Sequence, residues 1–346
     1  MYPAEASVQI YDRRTNFIVK FKETTSISLK KTIELKPDPG RAIQKGNVGW
    51  TYIYCLYLKN GQKDTYVVRG KAGNIKDQIL HLSGDAAGHT QTWEYAGITN
   101  KWFIGVKRTD IYDNKWDKQI ARVDIKAQKG SHSSHLDFPR LAYLNRAGSH
   151  PYSGENFVRA EAAVSPNHQK FLLATIDASG NGYFTIYSLS TINKALDQVA
   201  SLSNGDNYVN MGNIAYLESF YYPNLSSLIN SFQGFDMDDY GNVYIASQKA
   251  PDINSDTGEF TPHHKQIIKI PANKRSFADQ WISVNLSDWG KIDHKGYHTE
   301  VEGLQVIGED HVYLTVAYHD KEKYKKDGKT LYKSVTKYNN LYEISW

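Results

Sequence analysis

The chain has 346 residues, 40% of them apolar and 23% charged, which suits one large domain or two ordinary ones and is too apolar for disorder. Its net charge of +4 comes from 41 Lys and Arg against 37 Asp and Glu, scattered without the concentrated basic face of a nucleic-acid binder. A single cysteine excludes an intramolecular disulfide and a cysteine-based zinc site, and no window approaches the roughly 18 apolar residues of a membrane span.

The N-terminus, "MYPAEASVQIYDRR", carries no basic segment followed by an apolar run, so no signal peptide is readable. A mature or non-classically exported protein would read the same way. Two strands are expected before residue 43, in "SVQIYD" and "NFIVKFK". Short runs of Val, Ile, Thr, Tyr and Phe then recur between Gly, Asn, Asp and Pro clusters: "TYIYCLYL", "KWFIGVK", "QIARVDI", "KFLLATI", "YFTIYSL", "NVYIASQ", "QIIKI", "HVYLTVAY" and "NLYEISW". Cys55, in the first of these runs, reads as a small buried residue. Helical spacing is confined to Leu189–Leu202 and Asn224–Phe232. "DMDDYGN" (Asp236 to Asn242) opens like a calcium loop, but Tyr240 and Ser247 fall where ligands are needed, so a tight turn is expected. The histidine pairs His132/His135 and His263/His264 lack a third ligand at a recognisable spacing, and no metal or cofactor is expected. The run Lys321 to Lys329 reads as a solvated hairpin tip, with contact to an anionic polymer as the alternative. The 25 Tyr, 7 Trp and 12 Phe favour pleated sheets first and sugar contact second.

A repeat organises these strands. "TQTWEYAGITNKWFIGVK", "AEAAVSPNHQKFLLAT", "FQGFDMDDYGNVYIAS" and "VEGLQVIGEDHVYLTV" each contain strand, turn and strand, followed later by a third strand. A fainter copy begins near Gln44. The polar markers Gln44, Gln91, Glu161, Gln233 and Glu302 are separated by 47, 70, 72 and 69 residues. The expected fold is an all-β propeller of five blades, with the count open by one. Residues 1–43 are expected to supply a strand that closes the last blade, and residues 44–346 to form a single propeller domain.

Innermost propeller strands line a central channel, and residues two apart on a strand share a face. The stretches "GHTQTWE" and "YHTEVEG" therefore direct His89, Gln91 and Trp93 toward His298, Glu300 and Glu302, with Glu161 and Gln233 joining them. Three outcomes stay open for this set: ordered water alone, ligand binding at the channel mouth, or hydrolysis. Glycoside hydrolysis needs two carboxylates at a set separation, for which Glu161 and Glu302 are the candidates, with Glu300 or Asp236 in support. No catalytic residue is assigned on this pattern alone.

The chain also resembles the helveticin J family, large heat-labile bacteriocins of lactic acid bacteria. The resemblance rests on "QKGNVG", "GHTQTWE", "DFPRLAYLNRAGS", "AEAAVSP", "SSLINSFQGFDMDDYGNVYIASQKAPD" and "EVEGLQVIGEDHVYLTVAYH", in order from residue 44 onward. It implies a secreted antibacterial protein, free or associated with the cell surface, that acts on related Gram-positive bacteria through a wall glycopolymer or another surface receptor. A wall-glycan hydrolase and a non-killing surface structural protein are the alternatives. The resemblance transfers no catalytic residues.

Overall fold

A computed structural model describes residues 9–11, 18–36, 40–109, 116–154, 157–203 and 205–346. The β-branched and aromatic runs form five antiparallel sheets arranged as blades around one axis. Blade 1 comprises Ile43–Val48, Ile53–Lys59, Asp64–Lys71 and Asn74–Leu82. Blade 2 comprises Trp93–Tyr95, Lys101–Arg108, Asp117–Asp124 and Arg140–Ala142. Blade 3 is built from Phe157–Val164, Lys170–Asp177, Gly182–Ser188 and Glu218–Tyr222, and blade 4 from Gly234–Met237, Val243–Ser247, Gln266–Ile270 and Ile282–Asn285. Blade 5 takes three strands from the C-terminal end, His298–Gly308, His311–Lys326 and Lys329–Ser345. Its fourth, Ser28–Leu35, comes from the N-terminal region and pairs antiparallel with Lys329–Ser345, Leu341 opposite Ile33 and Tyr342 opposite Thr32. The expected closure of the last blade by an N-terminal strand is therefore present.

The closing strand is not one of the two anticipated. Gln9–Tyr11 and Ile18–Lys20, from the expected strands, pair with each other in a separate ribbon; the remainder of "SVQIYD" lies outside the described residues. "SLKKTIEL" is mostly exposed and charged, with only Ile33 and Leu35 buried, so its apolar signal is weak. Three further short strands add on in parallel at outer edges. Gly130–His132 joins blade 1, Tyr208–Asn210 joins blade 2, and Lys22–Thr24 joins blade 4. Each covers backbone groups that would otherwise form a free edge.

The apolar core is divided into five clusters, one between each pair of neighbouring blades. Blades 1 and 2 meet at Leu56, Trp93, Trp102 and Ile104, and blades 2 and 3 at Phe103, Leu141, Phe171 and Tyr187. Phe184, Phe235, Ile245 and Trp281 join blades 3 and 4, while Tyr244, Val301, Leu314 and Tyr318 join blades 4 and 5. The fifth cluster closes the ring: Ile33, Leu35 and Leu341 of blade 5 pack on Ile43, Cys55 and Val68 of blade 1. Cys55 is fully buried there, and burial pushes its thiol upward, away from thiolate chemistry.

Candidate functional site

The five innermost strands, with the residues leading into two of them, bring the sequence markers Gln44, Gln91, Glu161, Gln233 and Glu302 together at the axis, all buried. Local irregularities aim them. The pairing register slips between Ile43 and Lys45, leaving Gln44 unpaired on its strand, and again between Val301 and Leu304, freeing Glu302 and Gly303. Close approach needs glycine at two points. A Cβ on Gly303 would lie 2.5 Å from the Gln44 carbonyl oxygen, and one on Gly234 would lie 2.8 Å from the Gly303 Cα.

The markers form one hydrogen-bonded plug. The Gln91 side-chain amide donates to Glu302 Oε2 at 2.7 Å and to Gln233 Oε1 at 3.3 Å, and the Gln44 amide donates to Glu302 Oε1 at 3.2 Å. The Gln91 backbone N–H donates to both oxygens of Glu161, and the Thr92 hydroxyl donates to Glu161 Oε2 at 2.5 Å. Arg159 provides the cation. Its guanidinium donates to Gln91 Oε1 and to the carbonyls of Phe232 and Gln233, lies 3.2 Å from Glu161 Oε1, and sits under the Trp116 ring at 4.1 Å. Burial pushes Glu161 above the usual carboxylate range against the pull of Arg159, and burial with the neighbouring Glu300 charge raises Glu302 further.

Toward the ends of the same strands lies a second buried layer. Lys45 pairs with Glu94 and lies 3.8 Å from Asp236. Burial alone would lower the Lys45 ammonium, but Glu94 and Asp236 outweigh it and hold it above its ordinary value. Burial drives Glu94 up to about 8 and Asp236 up to about 6, in each case opposed by Lys45. One cation shared by two dry carboxylates leaves one negative charge too many, and a bound proton removes it.

The remaining expected site residues divide. His89 lies beside the plug, its Nε2 donating to Gln44 Oε1 at 2.8 Å and its ring stacked on Trp116; burial and Arg159 push it down to about 3, so it is neutral. Glu300 lies 2.8 Å from His319 Nε2. His298 stacks on Phe260 and is pushed down to about 4, chiefly by burial. Trp93 does not reach the channel. Its ring stacks on Trp102 at 4.9 Å in the core between blades 1 and 2, because the chain at Gln91 and Thr92 precedes the regular strand and shifts the alternation. That shift turns Glu94 to the axis instead. Reading alternation alone misses Lys45 and Glu94 for this reason, whereas Arg159 stands two residues before Glu161 and was within its reach.

The expected hydrolase pair, Glu161 and Glu302, does not face across a gap. Gln91 stands between them, with its backbone on one and its side chain on the other. The expected turn at Asp238 is present: its carboxylate accepts from the backbone N–H groups of Tyr240 and Asn242, with Gly241 at φ +89. Among the described residues no group of three or more His, Cys, Asp or Glu could hold a metal ion, and no helix is long and apolar enough to cross a membrane.

Where the inner strands end, the axis opens into a cleft of about 720 Å³ lined by residues of all five blades. Tyr52, Tyr54, Tyr95, Trp102 and Tyr313 line it, Glu94 and Asp236 lie at its floor, and Trp50 stands at its lip.

The geometry defines a class: a five-bladed β-propeller whose axis is sealed by its own polar side chains. Comparison with known proteins narrows this to a family. The chain belongs to the helveticin-J bacteriocins, matching the family described as "Bacteriocin helveticin-J" over residues 23–346. Bacteriocin helveticin-J of Lactobacillus helveticus is 47% identical over 343 residues, covering 94% of this chain and 98% of that protein. Among solved structures, the catalytic domain of Coprinopsis cinerea GH62 alpha-L-arabinofuranosidase aligns with a TM-score of 0.43 and 11% identity, over 90% of this chain and 94% of that one. A thermostable family-43 glycoside hydrolase aligns with a TM-score of 0.40 and 10% identity, over 89% and 95%.

Proposed function

We propose that this protein is an exported bacteriocin that kills by recognising a component of the envelope of related Gram-positive bacteria, a wall glycopolymer, rather than by cleaving it. Family membership supports the bacteriocin role. The state of the axial carboxylates carries the choice between binding and cleavage. Glu161 and Glu302 are 1% and 2% exposed, and both oxygens of each accept internal hydrogen bonds. A retaining or inverting hydrolase needs its two carboxyl groups on opposite sides of a bound sugar, about 5 to 10 Å apart with substrate or water between. A glutamine fills that position here.

The test is incubation of purified protein with isolated walls of a sensitive strain. Binding predicts that the protein sediments with the walls and that no reducing ends appear. Release of reducing ends, abolished by Glu302→Gln, would replace recognition with hydrolysis, since glutamine cannot act as a general acid or base. Failure both to sediment and to inhibit any related strain would leave a surface structural role.

A further inference from the structure

We infer that the cleft at the far end of the axis is a saccharide-binding site, with Trp50 as its stacking platform; this rests on the wall-binding reading above. Trp50 is 106% exposed, as bare as an isolated side chain, while few of the other described aromatic rings are exposed. Such an indole in water forgoes the burial that aromatic side chains ordinarily gain.

The exposure is built rather than a loose end. Trp50 and Thr51 form the tip of the hairpin joining the first two strands of blade 1, closed by the Gly49 N–H donating to the Tyr52 carbonyl at 2.9 Å. Lys71 Nζ donates to the Thr51 carbonyl at 2.6 Å, and Gln305 of blade 5 holds Val48 from both sides, accepting from its N–H at 2.7 Å and donating to its carbonyl at 3.2 Å. Just inside the lip, Tyr52 carries the Arg69 guanidinium 4.7 Å from its ring centroid, and Tyr54 packs on Trp102 at 4.4 Å. The hairpin is thus fixed at base and tip while the indole itself touches nothing.

A fixed, unpacked indole beside a cleft of tyrosines and polar groups suits one ligand chemistry. Pyranose rings present a C–H face that stacks on an aromatic plane and a rim of hydroxyls that take hydrogen bonds, the same division between apolar body and polar edge found in Tyr and Trp. The cleft volume of about 720 Å³ lies in the range of small-ligand sites and accommodates a short stretch of sugar units. Lys71, over the Tyr52 ring at the lip, adds positive charge, while Arg69 is paired with Asp77; this suits a glycan carrying anionic substituents.

The experiment is sedimentation of the full-length protein with isolated walls of a sensitive strain, comparing wild type, Trp50→Ala, Tyr52→Ala and the hairpin-tip variant Lys325→Glu/Lys326→Glu. Thermal melting controls for folding, and Trp50→Ala, which removes no packing, should melt with wild type. The expected result is a rise of about tenfold or more in the wall concentration giving half-sedimentation for Trp50→Ala, as for an aromatic hot spot, with the lysine variant close to wild type and protease-treated walls binding as well as untreated ones. Wild-type sedimentation of both aromatic variants overturns the cleft and leaves wall binding standing. A loss confined to the lysine variant moves the site to the basic hairpin, and loss of binding to protease-treated walls makes the partner a protein; either overturns the inference. Absence of wild-type sedimentation removes the wall-binding reading itself.

Discussion

Lys45 is the side chain for which the axis pays most visibly. A primary ammonium at 1% exposure survives only because Glu94 and Asp236 surround it, and those carboxylates are themselves pushed to about 8 and about 6. Both lie above the ordinary carboxylate values near 4, so the folded protein binds a proton here more tightly than the unfolded chain. The linkage then has a definite sign. The stabilisation from this layer is complete at pH below about 4.5, declines as pH rises, and is lost by about pH 8. The depressed His89 and His298 act in the opposite sense, adding stability as pH rises toward their ordinary value, so the layer is read from the difference between wild type and Glu94→Gln. Between about pH 4.5 and 8.5 the wild-type urea midpoint should lose ground to that of the variant, which carries no titrating proton at this position, and a difference that stays constant or moves the other way would contradict the assignment. Arg159 acts by a different logic. Its planar donors reach a side-chain oxygen, two carbonyls and a carboxylate at once, which the point charge of a lysine could not reproduce.

At the scale of strands and turns, regular alternation was legible in the sequence and its interruptions were not. The five polar markers were found by spacing alone, and they do meet. The same rule sent Trp93 to the channel and hid Lys45 and Glu94, because bulges and pre-strand segments shift the face by one residue without leaving a compositional trace. The closing strand Ser28–Leu35 was missed for a related reason: as an outer strand it buries only Ile33 and Leu35. The turn at Asp238 recurs elsewhere in the chain. "DASGNGY" from Asp177 and "DDYGNVY" from Asp238 follow a common pattern, and both place the aspartate as acceptor from two backbone N–H groups, the asparagine amide and the tyrosine hydroxyl. The copies differ in burial: Asp238 is fully buried and Asp177 is half-buried. Asp238→Ala should therefore cost about 3 kcal/mol, leaving dry donors without an acceptor, while Asp177→Ala should cost clearly less because water reaches its donors. Chemical unfolding of the two variants tests the order, and equal losses would count against it.

For the molecule as a whole, stability resides in a ring of five interblade cores that is complete only when both ends of the chain contribute. Ile33 and Leu35 supply the blade 5 side of the last interface together with Leu341. Burying each such side chain is worth about 1.5 to 3 kcal/mol, and the strand that carries them covers the edge of Lys329–Ser345. Deleting residues 1–36 should leave that edge open, lower the melting temperature and send the protein into aggregates, while an N-terminal cut that spares Ser28–Leu35 should be far milder. Soluble yield and melting of the two truncations measure the difference.

Closure of this kind also sets a clock on synthesis. Ser28–Leu35 is made long before its partner, Lys329–Ser345. The cost of joining such distant segments is met before their contacts repay it. During translation four blades can assemble while Ser28–Leu35 waits, so the circle shuts only after Lys329–Ser345 has left the ribosome. Until then a nascent chain of this design stays an open arc.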